Sequence, residues 1–514
     1  MSSSAFVAVG ILASRILGLV RQRVFAHYFG LSSDAADAWS AGFRIPNFLQ
    51  NMFGEGALSA SFIPVYAALL ARGEDEEADR VAGAVGTLLA LIVTLLVLVG
   101  VLATPLFIAA IAPGFHGEKR DLTIQVVRIL FPGIGLLVMS AWCLGVLNSH
   151  RRFLLSYSAP VLSSVAIIVT LLMFGPNTEL PRLVVILAVG AVVGSALQFV
   201  VQLPVVARVA PRLRLSFDYR NPHVRDVITN FLPVLVSRGV VQISAYVDTL
   251  IATLLPTGAP TALLNATTLY TLPVSLFGMS VSAAELPAMA GVARAGDEAL
   301  RVRLNNGLRQ IAFFVVPSAV AFLALGDVVA GAVLQTGRFT RDDSVRVWAI
   351  LAGSAVGLLA TTLGRLYSSA YFALRDTRTP LGYAILRVAL TSVLGYACAL
   401  PLPRALGIDP FWGTAGLTAS AGIAGWVEML LLRSSLNARI GATGLPVDYV
   451  MRLWIAALVG AGAAWVIKVA LHVGNPVVAG AVILVPYGLV FFGMTAVLRV
   501  PETSTAWSRL ARLR

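Results

Sequence analysis

The chain is written in apolar runs of about 20 residues or more, repeated from one end to the other and separated by short polar stretches. A helix rises 1.5 Å per residue, so about 20 apolar residues cross the ~30 Å hydrocarbon core of a bilayer. Fourteen candidate spans can be read, at about 5–29, 35–70, 80–111, 122–147, 156–174, 183–206, 224–255, 260–291, 304–324, 344–373, 380–402, 411–435, 448–471 and 475–498. The pattern predicts an all-α polytopic membrane protein. The second run is long for one crossing, which predicts a tilt or a kink near Pro46 or Gly54.

Polar side chains break the apolar pattern at a few depths only. Arg15 lies about halfway along the first run, Arg21 and Arg23 follow in it, and Arg44 lies deep in the second. An arginine at the bilayer centre costs roughly 2.5–3.5 kcal/mol on insertion scales, so such groups face a water-filled cavity or a bound anion. At 100° per residue, Asp37, Arg44, Asn47, Asn51, Glu55 and Ser59 of the second run fall within about 120° of one another. That stripe fits a hydrated cavity. The alternative is a hydrogen-bonded seam between helices, for which two carboxylates and an arginine are expensive.

Arg21 and Arg23 could snorkel to the interface. Arg15 is too central for that and needs a partner, for which Glu55 or a substrate anion would serve. Span seven adds Arg238 and Asp248, about 80° apart around the helix, and span eight adds Glu285. These three are candidates for a second-lobe cavity, or for charge pairs that hold the bundle.

Composition sharpens the class. Of 514 residues, 58% are hydrophobic and 12% charged, about half the charge of a soluble domain, and the mean hydropathy is +0.85. No sizeable soluble domain is expected. The net charge of +13 comes from arginines scattered over short loops, which argues against nucleic acid and for membrane orientation. Arginine-rich loops alternate with poorer ones, and the positive-inside rule places both termini in the cytoplasm. The first span carries Arg15 where a signal peptide has its apolar core, so it is expected to be retained. Cys143 and Cys398 both fall inside spans, so neither a disulfide framework nor a metal site is expected. No nucleotide-binding loop or nucleophile motif stands in a credible context. No cofactor is expected, and the energy source is left to an ion gradient, the membrane potential or the substrate's own gradient.

An internal repeat runs through the first twelve spans. Arg72 is echoed by Arg294, Pro64 by Pro287, Lys119 by Arg341 and Arg151 by Arg375, at offsets of 222 to 224 residues. Six spans per period give both halves one orientation, the plan of transporters with a site between parallel repeats. The expected organisation is an N-terminal lobe at 1–206, a cytoplasmic linker at 207–223, a C-terminal lobe at 224–435, and two further helices with a tail at 436–514.

The stretch Ser14-Arg15-Ile16-Leu17-Gly18-Leu19-Val20-Arg21, then Phe29-Gly30, Asp37-Ala38, Phe43-Arg44-Ile45-Pro46-Asn47-Phe48-Leu49, Phe53-Gly54-Glu55-Gly56-Ala57-Leu58-Ser59 and Phe62-Ile63-Pro64 closely resembles the MurJ/MviN family of lipid II flippases. Gln335-Thr336-Gly337-Arg338-Phe339-Thr340 and Arg375-Asp376-Thr377-Arg378-Thr379-Pro380 extend the resemblance over nearly the whole chain. The resemblance implies two six-helix lobes of the multidrug/oligosaccharidyl-lipid/polysaccharide exporter type, with two more helices that form a groove for a polyprenyl tail. It implies movement of lipid II, the undecaprenyl-pyrophosphate-linked disaccharide peptide, to the outer leaflet of the bacterial inner membrane by alternating access. Arg15 and Arg21 match cavity arginines of the family, and Asp37 and Glu55 match its acidic positions. Gln50 and Thr268 stand where the family commonly has arginines. The alternatives are an exporter of another polyprenyl-linked oligosaccharide or of a drug, or a scaffold among other cell-wall synthesis proteins.

Overall fold

The computed structural model describes residues 3–53, 55–292, 296–471 and 473–503; the side chains at 3–13, 46–47, 49–51, 55 and 236–245 lie outside that description. Every regular element among the described residues is a helix. The chain divides into two compact units, Met1–Thr261 with Thr336–Arg338, and Ala262–Gln335 with Phe339–Arg514.

The first unit holds α1 (Ser3–Phe29), α2 (Asp34–Gly42), α3 (Arg44–Phe53), α4 (Glu55–Ala71), α5 (Asp75–Ile111), α6 (Gly117–Ser149), α7 (Phe153–Phe174), α8 (Leu180–Val200), α9 (Leu203–Val209) and α10 (Pro222–Thr253). Helix α11 (Ala259–Pro273) starts in it and runs into the second. The second unit continues, through a π-helical turn at Val274–Met279, with α12 (Ser280–Val292) and α13 (Asp297–Leu334). Then come α14 (Arg341–Ala373), α15 (Arg378–Ala399), α16 (Pro401–Leu406), α17 (Gly413–Ile440), α18 (Val447–Ala470) and α19 (Pro476–Val497). Packing thus assigns α10 to the first unit, where the repeat in the sequence marks a boundary ahead of it.

Eleven helices among the described residues are long and apolar enough to cross a membrane. The other three expected spans are α1, the α2–α4 succession and α10, and these are the ones that carry Arg15, Arg44 and Arg238. The second expected span is interrupted at Phe43, between α2 and α3; Gly54, the other expected kink, lies outside the described residues. Pro46 lies in the first turn of α3, where its missing N–H removes no intrahelical bond. The polar stripe drawn through residues 37–59 as one helix crosses that interruption, which separates Asp37 of α2 from Arg44 of α3.

The repeat has a backbone signature. Arg151 and Arg375 both take the left-handed conformation, with φ of 58° and 62°. Each follows a long helix whose end closes in the same way. Arg152 N donates to Leu147 O at 2.8 Å, and Asp376 N donates to Tyr371 O at 2.9 Å. The expected linker is stitched to α5. Arg212 N donates to Asp79 at 3.0 Å, Ser216 N to Thr87 Oγ1 at 3.2 Å, and the Asn221 amide to Glu77 at 2.6 Å.

Each unit buries its own core. Phe62, Tyr66, Phe131 and Trp142 are buried in the first, and Phe313, Tyr367, Tyr371 and Phe491 in the second. In the second unit α14 crosses α17 at Gly357 and Gly422. A Cβ on Gly357 would come within 2.3 Å of the Gly422 backbone, so the close crossing depends on bare glycine.

Candidate functional site

Helix α1 leads the site, because its Arg15 has no counter-charge among the described residues. Arg15 is exposed and makes no hydrogen bond or ion pair among the described residues. Arg21, six residues on, is half-buried, with its guanidinium 6.0 Å from the centre of the Phe43 ring. The far end of α1 is pinned. Arg338 N donates to His27 O at 2.9 Å, and the His27 ring meets the Thr336 hydroxyl at 3.0 Å. Gly337 permits this with a φ of 54°, since a Cβ there would lie 2.4 Å from His27 O. The Gln335–Thr340 motif is thus a strap on α1.

Asp37 is fully buried, and four donors occupy its two oxygens. Oδ2 accepts from Lys119 Nζ at 2.6 Å and Gly258 N at 2.8 Å; Oδ1 accepts from the Thr261 hydroxyl at 2.7 Å and Thr261 N at 3.2 Å. Lys119 also reaches Asp34 at 3.2 Å and Thr257 at 3.3 Å. Asp37 was expected to contact substrate. Here its carboxylate ties α2 to the start of α6, to the 254–258 loop and to the first turn of α11.

Arg44 starts α3, with Asp248 and Tyr246 of α10 in electrostatic reach. The Tyr246 hydroxyl donates to Arg44 O at 2.8 Å. Asp248, expected in a second-lobe cavity, therefore belongs to the first unit beside Arg44. Asn47, Asn51, Glu55 and Arg238 have side chains outside the described residues.

In the second unit the in-span charges have partners. Glu285 of α12 forms a two-pronged pair with Arg303 of α13, one arm at 3.1 Å. Lys468 of α18 meets Asp327 of α13 at 2.6 Å. Arg387 of α15 lies 3.1 Å from Glu428 of α17. Arg365 of α14 is in electrostatic reach of both, and of Tyr270, which hydrogen-bonds Thr361. The sequence reading passed over this last cluster. Its charged members, Arg365, Arg387 and Glu428, nevertheless lie inside spans ten, eleven and twelve as bounded there, so the depth rule applied to Arg15 would have found them.

Two loop groups outside the spans are tuned by their surroundings. Thr379 N, the Thr379 hydroxyl and Arg439 hold the Asp376 carboxyl well below the usual carboxylate range, so the Arg375–Pro380 motif is a charged cap on α15. Burial beside Tyr66, whose hydroxyl is 2.9 Å from Nε2, pushes the His150 imidazole down from its ordinary value. Among the described residues no group of three or more His, Cys, Asp or Glu gathers to hold a metal ion.

A family profile described as "Lipid II flippase MurJ" matches residues 25–486. The Lipid II flippase MurJ of Burkholderia cenocepacia is 30% identical over 83% of this chain and 82% of its own. The Probable lipid II flippase MurJ of Vibrio cholerae is 29% identical over 90% and 88%. A solved structure titled "Lipid II flippase MurJ, inward closed conformation" superposes with a TM-score of 0.79 at 24% identity, covering 96% of this chain and 98% of that one. At that identity the likeness speaks for the fold, and the fold is that of a multi-pass membrane protein. With nearly the whole chain matched, and cationic α1, strap and cap in the places where the motifs fell, the chain belongs to the lipid II flippase MurJ family.

Proposed function

We propose that this protein is a transporter, not an enzyme, and that it moves lipid II from the cytoplasmic to the outer leaflet of the bacterial inner membrane by alternating access. Arg15 carries the reading: an exposed guanidinium with no counter-ion among the described residues, halfway along an expected span, in a family named for lipid II flipping. Water or an anion must stabilise that charge. The pyrophosphate of lipid II is such an anion, and the planar guanidinium fork suits it. Arg21 and Arg44 lie further along the same path, and Asn47, Asn51 and Glu55 complete the proposed polar lining. The disaccharide peptide exchanges its hydration for these fixed donors while the polyprenyl tail stays in lipid.

Both termini are placed in the cytoplasm by the distribution of arginine between loops. The reading needs no cofactor. An inside-negative potential favours outward movement of an anionic head by about 2.3 kcal/mol per charge per 100 mV. Expression of Arg15→Ala in a strain depleted of its own flippase tests the reading. The expected result is failure to grow, with the protein still in the membrane and lipid II heads no longer reaching the outer surface. Normal growth with that variant would remove Arg15 from the mechanism.

A second reading, export of a different polyprenyl-linked oligosaccharide, draws support from Gln50 and Thr268, which replace arginines common in the family. The Thr268 hydroxyl bonds back to Leu264 O at 2.9 Å and offers no cation to a head group. Growth rescue by Thr268→Arg together with Gln50→Arg, but not by the unaltered protein, would favour that reading.

A further inference from the structure

The segment between α9 and α10 is stitched to α5 through Arg212 N, Ser216 N and the Asn221 amide, yet it leaves large apolar side chains uncovered. The approach to α5 is close: a Cβ on Gly83 would lie 2.0 Å from Arg214 O. Leu213 packs against the core of the unit, whereas Leu215, Phe217 and Tyr219 are 80%, 64% and 58% exposed. Three such side chains within five residues are unfavourable in water. Their place in the fold says what covers them. Thr87, which holds Ser216 N, lies about 20° around α5 from Leu98 and about 40° from Leu91, and about 6 Å before Leu91 along the axis. Leu91, Leu95, Leu98, Leu102 and Leu106 are all more than half exposed on a helix long and apolar enough to span, so they mark the face that lipid covers. The segment therefore sits where that face ends, at the boundary of hydrocarbon and head groups.

The charge of the segment says which lipid. Residues 207–226 hold five arginines and two aspartates. Arg208, Arg214 and Arg225 are exposed, and their guanidinium groups make no hydrogen bond or ion pair among the described residues. Arg220 lies 5.7 Å from the centre of the Tyr219 ring, and Arg212 lies 3.9 Å from Glu76. A cluster of basic side chains beside a spanning helix, with aromatic rings at the same level, fits an acidic lipid surface. We propose that the 212–220 segment is an interfacial anchor. Leu215, Phe217 and Tyr219 enter the head-group boundary, and the arginines around them hold the phosphates of acidic phospholipids. The orientation proposed above makes that leaflet the inner one, and the inference takes nothing else from the proposed function. The segment ends at Asn221, whose side chain caps α10 and bonds Glu77, so lipid on the segment steadies the start of α10 against α5.

Depth-dependent quenching tests this on the full chain carrying Cys143→Ala, Cys398→Ala and Phe217→Cys, with an environment-sensitive fluorophore on the new thiol. The protein is placed in nanodiscs of phosphatidylcholine or of phosphatidylglycerol, with no lipid-linked sugar present. The expected result is quenching by a head-group nitroxide lipid about threefold stronger in phosphatidylglycerol, with quenching by aqueous acrylamide reduced to match. About 0.5 M sodium chloride should remove roughly half of that difference, because exposed charges are screened. Arg208→Gln, Arg212→Gln, Arg214→Gln and Arg220→Gln together should abolish it; where that variant fails to insert, the salt titration with all arginines in place decides. Acrylamide quenching as strong as that of the free dye in both lipids would leave the segment in water and overturn the proposal. Equal nitroxide quenching in the two lipids would overturn it as well, since apolar contact alone would then hold the segment. Neither outcome bears on lipid II as cargo, whose test is growth and head-group flipping.

Discussion

Arg15 of α1 stands exposed with no partner among the described residues, whereas Arg387 of α15 lies 3.1 Å from Glu428, and Glu285 and Asp327 are each met by a cation. Both regions place charge at depths where hydrocarbon is the solvent. The second unit pairs these charges with residues of its own; among the described residues Arg15 has no such pair. Isolated charge at that depth is far more expensive than paired charge, so an open guanidinium persists where something from outside completes it. A pair such as Arg387–Glu428 holds helices together, while Arg15 is available to an anion that comes and goes.

The contrast can be broken most sharply on α1. Arg15→Ala with Arg21→Ala should lower outward transport by about 100-fold, roughly 2.7 kcal/mol of lost stabilisation, with the melting temperature of the purified protein unchanged. A fall in melting temperature comparable to that of a broken ion pair would show that these arginines also are structural. The opposite signature is expected in the second unit. Glu428→Ala should cost about 2–3 kcal/mol of stability, below the range for fully buried pairs because Arg387 keeps 31% exposure. It leaves Arg365 and Arg387 facing each other, and Glu428→Leu with Arg387→Leu should recover most of the loss. Thermal melts of the single and double variants decide it, and a double variant no better than the single would refute the pairing.

Smaller effects sit in the loops. Asp376→Asn should lower the melting temperature by roughly 2–4 °C, the size expected for a helix cap. The folded protein holds this carboxyl below its ordinary pKa, so its contribution is present above that value and is lost as pH falls through and below it. Melts between pH 6 and 3 should therefore be flatter in the variant. His150 gives the least. Its folded pKa lies below the ordinary value of 6.5, so the neutral ring favours folding above that pH and the benefit fades as pH falls past it. The decline between pH 7.5 and 5.5 should shrink in His150→Gln, and an unchanged slope would show that the Tyr66 contact does not set it.

The sequence motifs divide by the same line. Gln335–Thr340 and Arg375–Pro380 are conspicuous strings, and in the fold both prove to be fasteners: a strap on α1 and a cap on α15. Asp37 was legible as a buried carboxylate in a span, but its four donors come from residues 82 to 224 positions away. Nothing in local spacing shows where they are. Lys119 and Lys468 look like stray interfacial lysines along the chain, and each meets an aspartate at 2.6 Å in the fold.

Span number, helical class and the depth of each charge were determined by the chain itself, because hydrocarbon thickness and the cost of buried charge act on every segment without regard to its neighbours. The 222–224-residue repeat belongs there too, and its echo in Arg151 and Arg375 is a local backbone event. The tertiary structure decided which charges meet partners among the described residues and where the second span is interrupted. Those depend on which helix lies beside which, and helix neighbours are chosen by packing between residues far apart in the chain, which no single segment records.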